Sequence, residues 1–145
     1  MKNILIFVIF VAVVLWFGFL KNKEVSAPIG QINYINASTN LIVVDLPFPG
    51  AVTGKEFTVV GKARGVWFFE ASFPMKLLDK DGNLLVNSFA QAEGEWMTEN
   101  FVPFKGMIKV PESYIGKATL VLMKDNASGL PEHDASISFP ITVEY

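Results

Sequence analysis

Two hydrophobic patterns divide this chain. From Ile4 to Leu20, seventeen consecutive residues carry no charge and no strongly polar side chain. From Leu41 to the C-terminus, apolar residues instead recur at every second position, in short runs broken by Pro, Gly, Asn and Asp. The first pattern predicts a helix that is apolar all round, and the second predicts strands with one buried face.

Seven strand candidates fall in the second part. They are Leu41 to Leu46, Glu56 to Ala63, Val66 to Leu78, Asn83 to Ala92, Phe101 to Val110, Lys117 to Lys124 and Ala135 to Tyr145. In the third, Trp67, Phe69, Ala71, Phe73, Met75 and Leu77 alternate with Glu70, Ser72, Pro74 and Lys76. Pro74 donates nothing to a ladder, so this strand is expected to be bulged or at an edge there. The seventh places Ile137, Phe139, Ile141, Val143 and Tyr145 inward. Asp79-Lys80-Asp81-Gly82 reads as a hairpin turn. Short strands with turn signals at this spacing predict an all-β fold, an immunoglobulin-like β-sandwich of about seven strands preceded by one N-terminal transmembrane helix.

Seventeen residues at 1.5 Å rise is the lower limit for crossing a hydrocarbon core. Lys2 precedes the run, and Lys21 and Lys23 follow it. Two readings stand: an uncleaved anchor, or a signal cleaved after Val25-Ser26-Ala27, where the following Pro28 makes a poor peptidase site. The chain thus divides into a membrane anchor or signal over 1–20, a polar linker over 21–40 and a sandwich over 41–145. The expected location is the cytoplasmic membrane, single-pass, with the C-terminal domain extracytoplasmic, or secretion if the signal is cleaved.

Composition narrows the function classes. The chain has 14 acidic and 12 basic residues, and its cations lie singly, which leaves no nucleic-acid footprint. It contains no cysteine, so disulfides, thiolate catalysis and zinc–cysteine sites are excluded. His133 stands in a polar loop between Glu132 and Asp134 and reads as solvated. Asp79-x-Asp81-Gly82-Asn83 resembles the start of a calcium loop but lacks the later acidic ligand and the flanking helices. No metal and no cofactor are therefore expected, and no catalytic residue stands out. Glu70, amid aromatics, reads as a partly buried carboxylate hydrogen-bonded or paired with Arg64, or as an acid with a raised pKa. Trp96-Met97, ahead of Pro103-Phe104, reads as packing at the sandwich end or as an aromatic platform. The candidate interaction surface is Trp67, Glu70, Trp96, Met97 and Asn126.

Several of these residues also carry a resemblance. Pro47-Phe48-Pro49-Gly50, the run from Val59 to Leu85 with its spacing G-x-A-x-x-x-W-x-F-E-A and D-x-D-G, Trp96-Met97, Pro103-Phe104 and Lys124 to Gly129 are similar to the immunoglobulin-like domain of bacterial spore germination. The resemblance spans roughly 41 to 145. It implies a bacterial cell-envelope protein with an extracytoplasmic sandwich, and it implies no catalytic residues.

The resulting expectation is a membrane-tethered, non-enzymatic interaction module whose partner is an envelope protein or wall polymer. The alternatives are a wall-polymer hydrolase using Glu70 with Asp79 or Glu95, and an assembly subunit acting through a sheet edge.

Overall fold

The computed structural model describes residues 30–145. The expected helix from Ile4 to Leu20 lies outside the described residues. Among those described, no helix is long and apolar enough to cross a membrane.

Nine strands follow in order: β1 (Asn33–Ile35), β2 (Ile42–Leu46), β3 (Val52–Thr53), β4 (Glu56–Arg64), β5 (Ser72–Leu78), β6 (Leu84–Ala92), β7 (Phe101–Lys109), β8 (Gly116–Met123) and β9 (Ser136–Val143). They form one curled sheet in the order β1-β9-β8-β5-β6-β7-β4-β2, and β3 adds to β9 in parallel. The expected fold class is all-β and immunoglobulin-like, and the strands are all-β as expected. The sheet folds on itself so that β2, β4 and β7 face β5, β8 and β9 across a single core. Only three residue pairs, Ala90 to Ala92 against Gly106 to Phe104, carry the hydrogen bonding around the corner from β6 to β7.

Alternation places the core. Val59, Phe104 and Ile108 point inward from one half, and Phe73, Met75, Leu120 and Ile137 from the other, in one buried cluster. The Phe73 and Phe104 rings meet edge-on across the halves at 4.9 Å, in the geometry aromatic quadrupoles favour. Gly61 lets β2 and β4 close over this contact, since a Cβ there would lie 2.1 Å from the Val43 carbonyl oxygen and 2.8 Å from the Phe104 ring.

Three expectations change and one, at Pro74, is met. The segment from Val66 to Leu78 is not one strand. Gly65–Trp67 forms a 3-10 turn, and Phe69 and Ser72 close a tight turn by exchanging backbone hydrogen bonds of 3.0 and 3.1 Å. Trp67 stays buried, but Phe69 is exposed because it sits in the turn rather than the ladder. Pro74 lies at a local edge of the sheet, as expected. It pairs with Phe89 of β6, and its missing N–H falls where the β8 ladder, beginning at Met75, has ended. Residues 33–35, within the stretch read as linker, pair with β9. Tyr145 is 82% exposed, because β9 ends at Val143.

Candidate functional site

Strand directions sort the connections into two ends. One end gathers the residue 36–41 loop, the β4–β5 segment 65–71, the β6–β7 loop 93–100 and the β8–β9 loop 124–135. The other gathers the turns at 47–51, 79–83 and 110–115. All five candidate residues (Trp67, Glu70, Trp96, Met97 and Asn126) fall at the loop end, although they are scattered over sixty residues of sequence.

Their environments differ. Trp67 is wholly buried and packs edge-on against Phe73 at 6.4 Å, so it is core and not an open platform. Glu70 is exposed and occupies the tight turn with Ala71, at φ of +48° and +63°. No ion pair joins it to Arg64. Arg64 instead donates to the carbonyls of Asn40 (3.1 Å) and Glu99 (3.2 Å) and lies 4.0 Å over the Phe101 ring, tying two loops together. Trp96 is half-buried against the core, and Phe104 is buried, so the expected platform reduces to Met97, 73% exposed. The β6–β7 loop crosses directly over Gly65, where a Cβ would lie 1.9 Å from the Thr98 carbonyl oxygen.

Asn126 organises the β8–β9 loop. Its Nδ2 donates to the Leu130 carbonyl and to Asp134 Oδ1, both at 2.8 Å, which fixes its Oδ1 as acceptor. Ser128 Oγ donates its one proton to that Oδ1 at 2.6 Å. The 3.0 Å contact between Ser128 Oγ and His133 Nδ1 must then be donated by the imidazole, so the neutral ring carries its proton on Nδ1 and presents Nε2 as a bare acceptor. Ser128 also accepts from Leu130 N and has no free capacity to act as a nucleophile. Sequence reasoning left His133 solvated and missed this network, because Asn126 and Asp134 meet only through the loop fold.

The Glu70–Asp79 pairing of carboxylates is not assembled. Glu70 precedes β5 and Asp79 follows it, so the strand separates them by roughly 25 Å at 3.3 Å per residue, against the 5–9.5 Å that glycoside hydrolysis needs. Asp79 is occupied in its turn. Its Oδ1 accepts from Asp81 N and Asn83 N, each at 2.8 Å, and its Oδ2 from the Asn83 side chain at 3.0 Å. The Asn83 side-chain bond, followed by the backbone bond from Asn83, holds the Asp79 carboxyl below the usual range. Among the described residues, no group of three His, Cys, Asp or Glu side chains is placed to hold a metal.

The loop end is also acidic. It carries Glu70, Glu93, Glu95, Glu99, Asp125, Glu132 and Asp134, half of the chain's 14 acidic residues, against Arg64 and Lys124. Exposed apolar side chains stand among them: Val66, Phe69, Met97 and Leu130. Such a surface repels polyanions and suits neutral or cationic partners.

A curled all-β sheet with parallel addition of a short early strand to the last one, and with its longer loops gathered at one end, defines an immunoglobulin-like fold. Residues 41–130 match the family model for the immunoglobulin-like domain of bacterial spore germination, and the chain belongs to that family. Among solved structures it is similar to CopC from Methylosinus trichosporium OB3b, at 18% identity and a TM-score of 0.45, covering 72% of this chain and 92% of that one. No match was found among curated proteins.

Proposed function

We propose that this protein is a non-enzymatic binding module of the bacterial cell envelope, tethered by its N-terminal apolar segment. Its loop end is presented to an envelope protein or wall polymer outside the cytoplasm. One observation carries the reading: the candidate surface and the point of chain entry lie apart. Gly30 packs against Pro49, where a Cβ would lie 2.3 Å from the carbonyl oxygen, and the adjoining Gly50 N–H donates to Pro140 of β9. From there β1 runs antiparallel to β9 toward the loops. At 3.3 Å per residue, entry lies roughly 15–20 Å short of the loop end. A tether entering there leaves the loop end free.

The family supports an envelope setting, and two structural features support binding over the alternatives. The hydrolase reading loses its Glu70–Asp79 pair to distance. Assembly by strand addition is disfavoured because the sheet edges are blunt. β1 has three residues, and β2 has five with a register shift between Val44 and Leu46 and an exposed Asp45.

The test is site-specific photocrosslinking of the full chain in cells, with the crosslinker at Met97 or Glu70 and, as control, at Lys80 in the opposite turn. The reading predicts discrete adducts from the loop-end positions that are absent at Lys80. Equal adducts at all three sites, or adducts at Lys80 alone, contradict it.

A further inference from the structure

The segment from Leu46 to Gly54 (LPFPGAVTG) crosses from β2 to the outer edge of β9 with no charged residue and one hydroxyl. Thr53, which carries that hydroxyl, is buried, as are Pro47 and Ala51. The side chains left outside are apolar: Leu46, Phe48 and Val52 are 54, 60 and 58% exposed. All three stand where the chain enters the domain. Phe48 precedes Pro49, whose carbonyl lies against Gly30, and Val52 pairs with Thr142 of β9. Single exposed apolar residues are ordinary on a protein surface, but a group of them around one point marks contact with a protein or a membrane. Chain length decides between the two. Nine residues, 21–29, separate the apolar run ending at Leu20 from Gly30. They reach at most about 30 Å fully extended and roughly 15–18 Å as a flexible coil. A compact domain of this size has a radius of gyration of roughly 13 Å. A tether that short does not reach half-way round such a body, so the entry side stays nearest the bilayer.

We propose that this apolar seam rests on the lipid surface, with Leu46, Phe48 and Val52 at the boundary between headgroups and acyl chains. Three such side chains hold a free protein on a bilayer only weakly. A tether makes the same contact intramolecular, so a small gain keeps it closed. The segment carries no Lys or Arg, and apolar burial rather than attraction to anionic headgroups drives the contact, so neutral lipid suffices. The inference rests on the tethered reading and adds an orientation to it. The seam lies down on the bilayer, and the loop end, roughly 15–20 Å away along the strands, opens to the side and stays uncovered.

The experiment uses the full chain in phosphatidylcholine nanodiscs. The chain has no cysteine, so single cysteines carry a nitroxide spin label without background. Labels go at Phe48→Cys and Val52→Cys on the seam, at Lys80→Cys and Met97→Cys away from it, and at Ala12→Cys in the apolar segment. Collision with oxygen, which partitions into lipid, is compared with collision with a polar nickel chelate. The expected result is oxygen-favoured collision at Phe48→Cys, Val52→Cys and Ala12→Cys, and chelate-favoured collision at Lys80→Cys and Met97→Cys. With the label at Val52→Cys, adding Leu46→Ser and Phe48→Ser should shift it to the water-facing pattern. Both residues are exposed, and unchanged circular dichroism separates lost docking from a lost fold. Chelate-favoured collision at Phe48→Cys and Val52→Cys overturns the proposal, and if Ala12→Cys still reports lipid the tether stands without the docking. Chelate-favoured collision at Ala12→Cys overturns the tether as well. Seam labels shielded from both reagents show a cover made by the chain's own residues 21–29 and overturn the lipid assignment. Dipolar broadening that disappears on dilution with unlabelled chain shows a second copy and overturns it equally.

Discussion

Glu70 and Ala71 hold consecutive positive φ values, +48° and +63°, in a two-residue turn where Asn-Gly is the sterically easy choice. A left-handed conformation costs an L-residue with a Cβ about 1–2 kcal/mol, and glycine repays part of that gain through its greater chain entropy when unfolded. Ala71→Gly should therefore stabilise the domain by about 0.5–1 kcal/mol, read as a raised midpoint in urea with unchanged slope. A lowered midpoint would show that the Ala71 methyl contributes more by packing than its backbone costs. The same turn explains why the alternation misled at this point. Phe73, Met75 and Leu77 were legible as inward residues, and all three are fully buried. Phe69 and Ala71 continue the pattern in sequence, but nothing in Glu-Ala marks a turn. The spacing G-x-A-x-x-x-W-x-F-E-A now reads as architecture: Gly61 for close strand approach, Gly65 for the crossing loop, Trp67 for the core and Glu70-Ala71 for the turn.

Elements with full alternation were the most legible. The seventh candidate became β9 with Ile137, Phe139, Ile141 and Val143 buried, since a long period-two run has one consistent reading. β1 and β3, of three and two residues, are too short to show a period and exist only because β9 offers them a ladder. The β5–β6 hairpin turn was legible from Asp-Lys-Asp-Gly, and Asp79 accounts for its stability. Its folded-state pKa is depressed, so its contribution is fully present above the unfolded pKa, near 4, and is lost as pH falls through the lower folded value. The melting-temperature gap between wild type and Asp79→Ala should be constant near neutrality and shrink below about pH 4. A gap unchanged down to about pH 2 would place the effect of Asp79 outside its charge.

At the scale of the molecule, the fold turns five dispersed candidates into one end of a sheet, and it also sorts them. Met97 and Glu70 are available to a partner, Trp96 in part, Asn126 builds a loop, and Trp67 belongs to the core. Sequence reasoning placed the candidates by residue type alone. It had no access to strand direction, which decides which connections share an end, or to the loop closure that aligns His133 with Ser128 and Asn126. The absence of cysteine, first useful for excluding thiol chemistry, makes the topology directly measurable. The central claim is a tethered domain outside the cytoplasm that holds its loop end open. Single cysteines replacing Ser128 at the loop end and Gly82 in the opposite turn, each in the full chain, give no background labelling. In intact cells a membrane-impermeant maleimide should label Ser128→Cys readily, with a partner-bound fraction protected there and not at Gly82→Cys. Labelling of both positions only after lysis would contradict the account.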